Sequence, residues 1–115
     1  MKRVQPQRQL LVLAGGGHSH ALLVLRWIMR PRLRPPATAV LLVNRASTAL
    51  YSGMLPGLVA GLYSRDDCAI DLRALCRRAG VVFIQAEITG VDPLQRLLQL
   101  QGRPALRFDR LSLDV

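Results

Sequence analysis

Uninterrupted apolar runs alternate along the first half of the chain with a segment of helical period. Leu10-Leu11-Val12-Leu13-Ala14 contains no polar residue, the pattern of a strand covered on both faces of a parallel sheet. From about His18 to Arg30, Ala21, Leu22, Leu25, Ile28 and Met29 recur at helical spacing while Arg26 and Arg30 fall elsewhere on the wheel, which predicts an amphipathic helix. Pro31, then Pro35 and Pro36, stop it, since proline can neither donate a helical hydrogen bond nor fit behind the preceding turn. Ala39-Val40-Leu41-Leu42-Val43 repeats the buried-strand pattern after a crossover of the length that joins parallel strands. Residues 9–44 therefore predict a β-α-β unit.

The segment from Arg45 to Tyr63 has no period, and its glycines, serines and proline predict a loop, long enough to suggest a functional role. Ser64 followed three residues later by Asp67 predicts a cap on a short helical turn. Leu72, Leu75, Cys76 and Ala79 then share one helical face, with Arg73, Arg77 and Arg78 on the other and Gly80 as C-terminal cap. Val81-Val82-Phe83-Ile84 predicts a third parallel strand. Glu87–Asp92, Arg96–Gln101 and Leu106–Asp109 predict short antiparallel strands turning at Asp92-Pro93 and Gln101-Gly102, and Leu111–Val115 predicts a final strand. The expected architecture is α/β: a parallel sheet with a small antiparallel β insertion over residues 9–115, preceded by a disordered basic stretch, 1–8.

Composition removes several function classes. With 115 residues, half of them hydrophobic, the chain can bury a core of its own. A net charge of +9 raises polyanion binding, but the arginines are scattered from Arg3 to Arg110, Lys2 is the sole lysine, and aromatics for base stacking are few, so no nucleic-acid stripe forms. Cys68 and Cys76 are eight positions apart, matching neither a zinc ligand pair nor a redox CxxC or CxxxxC couple, and suit a reducing cytosol. The uncharged run Gln9–Leu25 superficially resembles a leader or a membrane span. Three glycines and two histidines break it, and it is shorter than the roughly 20 apolar residues of a spanning helix.

The turn after the first strand carries the most chemistry. Gly15 allows a tight turn and Gly17 lets the backbone approach a pyrophosphate, whose charge suits the N–H groups opening a helix. The third position of the GxGxxG pattern holds His20, where close helix-on-strand packing calls for glycine or alanine. An ordinary tight βα connection is the alternative reading. The acid that ends the second strand in such units is replaced by Asn44, able to hydrogen-bond ribose hydroxyls, with Arg45 beside it either near adenine and phosphate or solvated. His18 and His20 do not share a helical face and have no acid nearby in sequence, so one is expected to hydrogen-bond at the helix start and the other to pack. The Tyr51–Gly57 loop is a second candidate, because its glycines permit close approach to a flat ring.

LVLAGGGHSHALLVL (11–25), YSGMLPGLVAGLYS (51–64), IDLRALCRRAGVVFIQAEITGVDP (70–93) and FDRLSLDV (108–115) together resemble the FAD-dependent pyridine nucleotide-disulfide oxidoreductases. The likeness is to the branch near type II NADH dehydrogenases and sulfide:quinone reductases, particularly the flavoproteins often fused ahead of selenide, water dikinase. That branch tolerates histidine at the place of His20. The resemblance implies a Rossmann-like FAD-binding domain in which Gly15, Gly16, Gly17 and His18 meet the FAD pyrophosphate. It further implies that Asn44 and Arg45 lie near the adenosine, that Ser52, Gly53 and Pro56 approach the flavin, and that the backbone at Ala86 and Ile88 borders the adenine. Members of the family continue from the strand matching Leu111–Val115 into a second, NAD(P)H-binding domain, so the chain is expected to be the front part of a longer enzyme, cytoplasmic or peripheral to the membrane. Hydride would pass from nicotinamide to flavin and on to a quinone or another acceptor. A non-catalytic nucleotide-binding module is the alternative. No CxxxxC pair follows the glycine turn, which puts dithiol chemistry in doubt.

Overall fold

A computed structural model describes residues 8–50 and 69–114. The basic start of the chain, the proposed Ser64–Asp67 cap, Cys68 and most of the Tyr51–Gly57 loop's flanks lie outside the described residues, as does that loop itself. Strand β1 (Gln9–Ala14), helix α1 (His18–Met29) and strand β2 (Thr38–Asn44) form the expected β-α-β unit, with a single 3-10 turn at Pro31–Leu33 ending the helix. Two short strands follow, β3 (Thr48–Leu50) and β4 (Ala69–Asp71), antiparallel to one another. The three residues of β3 correct the expectation of an unbroken loop after Arg45. Their pairing partner lies some twenty residues on, out of reach of any local pattern.

Helix α2 (Leu72–Ala79) starts on Asp71, whose carboxylate accepts a hydrogen bond from the Ala74 amide at 3.0 Å, and ends at Gly80 in the left-handed region at φ +70°, where a side chain would be strained. Strand β5 (Val82–Gln85) is next, then a meander of β6 (Ile88–Asp92), β7 (Leu97–Leu100) and β8 (Arg103–Arg107), and finally β9 (Arg110–Leu113). The third meander strand begins earlier than Leu106. It includes Pro104, which is tolerated because β8 is an edge strand, where a missing N–H breaks no ladder.

The parallel sheet runs β5-β2-β1-β9. Each strand is parallel to its neighbour, Leu13 lying opposite Leu42 on one side and Ser112 on the other. Alternate residues of β1 and β2 face opposite layers. Leu13, Val40 and Leu42 pack under α1 and α2 with Val24, Trp27, Leu72 and Leu75; Val12, Ala14 and Val43 pack against Leu98, Leu100 and Phe108 on the meander side. The molecule thus has three layers: helices, parallel sheet, antiparallel sheet. On α1 the buried stripe is rotated from expectation: Val24 and Trp27 are buried while Met29 is 47% exposed. The indole carries more apolar area than the methionine and takes the inward position.

Candidate functional site

The strand order reverses at β1, flanked by β2 on one side and β9 on the other, and open parallel sheets bind ligands outside the carboxyl ends of the strands at such a point. The Gly15–Gly17 turn stands there. Gly15 adopts φ +100°, a conformation that glycine reaches without strain, and turns the chain out of the sheet. The three amides are all engaged: Gly15 N–H donates to the Val43 carbonyl at 2.7 Å, Gly16 N–H to Asn44 Oδ1 at 3.0 Å, and Gly17 N–H to the Asp114 carbonyl at 3.0 Å.

Helix α1 has no cap from its own N-terminal residue, since Gly17 has no side chain. Asp114, arriving from the end of β9, supplies one: its Oδ2 accepts from the His20 amide at 3.0 Å, the first-turn donor that a local Ser or Asp would ordinarily satisfy. Its negative charge also lies at the positive end of the helix. A Cβ on Gly17 would overlap the Asp114 carboxylate, and one on Gly16 would come within 2.7 Å of Leu72 Cδ1. At both glycines a side chain would therefore displace a neighbouring side chain of the protein itself.

Gly15, Gly16, Gly17, Asn44, Arg45, Ala86 and Ile88, all singled out in the sequence, line one open cleft of about 470 Å³, a size within the range of small-ligand sites. Ser52, Gly53 and Pro56 lie outside the described residues. His18 is exposed at the first helical position and is absent from the cleft wall. Asn44 is oriented on both sides, its Nδ2 donating to the Ala46 carbonyl at 2.9 Å. Arg45 is exposed, and its carbonyl accepts from Gln85 Nε2 at 3.2 Å.

Sequence reasoning missed Thr48, Ala49 and Glu87 on the cleft wall, and Asp114 beside it. Glu87 brings an acid to the cleft from the stretch between β5 and β6, where the end of β2 has none. The alternation Ser112-x-Asp114 was the available signal for β9, because residues two apart share a strand face. Arg45 and Glu87 carry opposite charges on the same cleft, so an anionic ligand there would depend on backbone dipoles more than on side-chain cations.

The two roles expected of the histidines fall on one of them: His20 both packs and hydrogen-bonds, while His18 is exposed. His20 is 2% exposed, with Nδ1 2.8 Å from the Gly15 carbonyl and Nε2 2.8 Å from Ser112 Oγ. Among the described residues no three His, Cys, Asp or Glu side chains gather as metal ligands, and no helix is long and apolar enough to cross a membrane. Arg73 is exposed on the arginine face of α2, where it lies 5.0 Å over the Phe83 ring and donates to Gln85 Oε1 at 3.2 Å.

No family model and no curated protein matches the chain. Solved structures do. The sulfide:quinone oxidoreductase from the hyperthermophilic bacterium Aquifex aeolicus matches over 91% of this chain at a TM-score of 0.65 and 19% identity. A chain of the covalent putidaredoxin reductase–putidaredoxin complex matches over 94% at a TM-score of 0.58 and 18% identity. The chain spans about a quarter of those chains, 24% and 26%. At these identities the likeness establishes the Rossmann-like fold.

Proposed function

We propose that the chain is the FAD-binding portion of an NAD(P)H-dependent flavoprotein oxidoreductase of the pyridine nucleotide-disulfide type. The observation that carries this reading is the single cleft joining the glycine turn, Asn44 and the Ala86–Ile88 backbone beside the strand where the sheet order reverses. Two structural neighbours are, by name, an oxidoreductase and a complex containing a reductase, and they add support of the same kind.

The residues fit the adenosine end of the cofactor. Asn44 and Glu87 offer polar groups for ribose hydroxyls, and the apolar stretch at Ala86 and Ile88 offers a flat wall for adenine. The pyrophosphate would lie against the first turn of α1, with the helix dipole favouring its charge and the Asp114 carboxylate limiting how near the helix axis it can come. When bound, FAD would supply the redox chemistry, taking hydride from NAD(P)H for a quinone or another acceptor, while the protein positions it and tunes its electrostatics. A second, nucleotide-binding domain outside this chain would hold the nicotinamide.

One observation favours a second reading, a nucleotide-binding module without catalysis. All three glycine amides already have protein partners, so the turn is satisfied without a ligand. Titration of the purified chain with FAD separates these readings from no binding at all. A ligand selective for the folded state raises the melting temperature, by about 2.7 kcal/mol of stabilisation at a hundred times Kd. The cofactor reading predicts this shift with FAD and a smaller one with AMP; a shift with AMP that FAD does not exceed supports the module, and no shift with either sinks both.

A further inference from the structure

His20 is the sole polar residue among the described buried side chains, and it occupies the fingerprint position where a glycine would let the helix approach the strand. A buried imidazole is tolerated when both nitrogens are hydrogen-bonded, and both are. The Gly15 carbonyl can only accept, so Nδ1 carries a proton, and Nε2 pairs with the Ser112 hydroxyl.

The Gly15 carbonyl and the Gly16 N–H are the two ends of one planar peptide unit. The other end is held as well, by Asn44 Oδ1 at 3.0 Å. Asn44 cannot flip its amide without losing the Nδ2 bond to the Ala46 carbonyl. A single peptide plane at the mouth of the cleft is therefore gripped at its oxygen by the helix and at its hydrogen by the end of β2. Rotating it would break both bonds together.

We propose that His20 is a positioning residue of the nucleotide site: with Asn44 it fixes the orientation of the Gly15–Gly16 peptide, and it takes over by hydrogen bonding the role that a third glycine fills by close packing. The proposal rests on the reading of the cleft as the FAD site. It assigns Ser112 a supporting part, because its hydroxyl holds the far side of the ring at Nε2 and ties the turn to β9. It also makes His20 and Asn44 interdependent, since each keeps the plane in the orientation the other needs.

The test uses the full 115-residue chain and two variants of different chemistry. His20→Asn retains an N–H donor near the place of Nδ1; His20→Leu retains bulk and removes the donor. Fluorescence titration should show FAD binding within about threefold of wild type for His20→Asn and weakened about tenfold for His20→Leu, the scale of one net hydrogen bond. Asn44→Ala added to His20→Leu should cost less than the two single changes combined. Equal affinities for the two His20 variants, additive effects with Asn44→Ala, or an Nε2–H tautomer in the ¹⁵N spectrum of wild type would overturn the proposal.

A second readout needs no cofactor. Hydrogen exchange at the Gly16 amide should quicken in His20→Leu and stay near wild type in His20→Asn; unchanged protection in His20→Leu overturns the proposal even if FAD binds. Should His20→Leu not fold, Ser112→Ala takes its place, with faster Gly16 exchange expected and unchanged exchange counting against the clamp. Failure of wild type to bind FAD, with the exchange pattern as expected, would sink the cofactor reading while upholding the clamp on the peptide plane.

Discussion

Cys76 is fully buried among Leu72, Leu75 and the α1 side chains, and burial pushes its thiol from an ordinary 9.0 up to about 12, because the thiolate would lose its hydration there. Below pH 9 the thiol is neutral whether the chain is folded or not, and its contribution to stability is intact. Between 9 and 12 the unfolded chain ionises and the folded chain does not, so stability falls as pH rises through that window. Urea midpoints at neutral pH and at about pH 10 should therefore drop further in wild type than in Cys76→Ala; equal drops would show that Cys76 is not the source. The same scale shows what a sequence can and cannot display. Asn44 stood out because its position at the end of β2 follows from strand length. Asp114 did not, because its role as the cap of α1 depends on β9 lying beside β1, a pairing between residues nearly the whole chain apart. His20 looked like a defect in the fingerprint because its two partners, the Gly15 carbonyl and Ser112, meet only in the folded molecule.

At the scale of elements, the central strands and both helices were legible because their patterns are local: unbroken apolar runs, helical period, proline and glycine stops. The apolar face from Leu72 to Ala79 marked α2 in the sequence, but its N-cap was not singled out: the structure shows Asp71 in that role, while Ser64 and Asp67 lie outside the described residues. Asp71 also ends β4, so one carboxylate stands where a strand becomes a helix. Asp71→Ala should cost about 1 kcal/mol and leave the cleft residues in place, since Asp71 is exposed and lines none of it. Chemical denaturation measures the loss, and retention of ligand affinity checks its confinement. The sidedness of α1 was misjudged for a different reason. Period alone accommodated Met29 as well as Trp27; the larger indole took the inward place, in one cluster with Leu75 and Val81.

The whole molecule is held by a sheet that serves two cores. Leu98 belongs to the meander-side core and has no helix residue in its cluster, yet Val12, Ala14 and Val43 link that cluster through the backbone of β1 and β2 to the helical layer. Leu98→Ala should lower stability by about 2–5 kcal/mol. If the three layers unfold as one cooperative unit, the helical signal at 222 nm in circular dichroism will melt at the same reduced temperature as the tertiary signal from Trp27. Separate transitions would mean that the meander is an independently folding layer. The pairing of β1 also governs the order in which the chain can assemble. One edge of β1 meets β2 within about thirty residues, but the other meets β9 through residues nearly a hundred positions on, from Leu11 opposite Arg110 to Ala14 opposite Leu113. During synthesis that second edge must wait until residues 110–113 have left the ribosome. Until β9 emerges the nascent chain carries an apolar central strand exposed on one edge, a state that invites chaperone binding and makes docking of β9 the step that closes that edge.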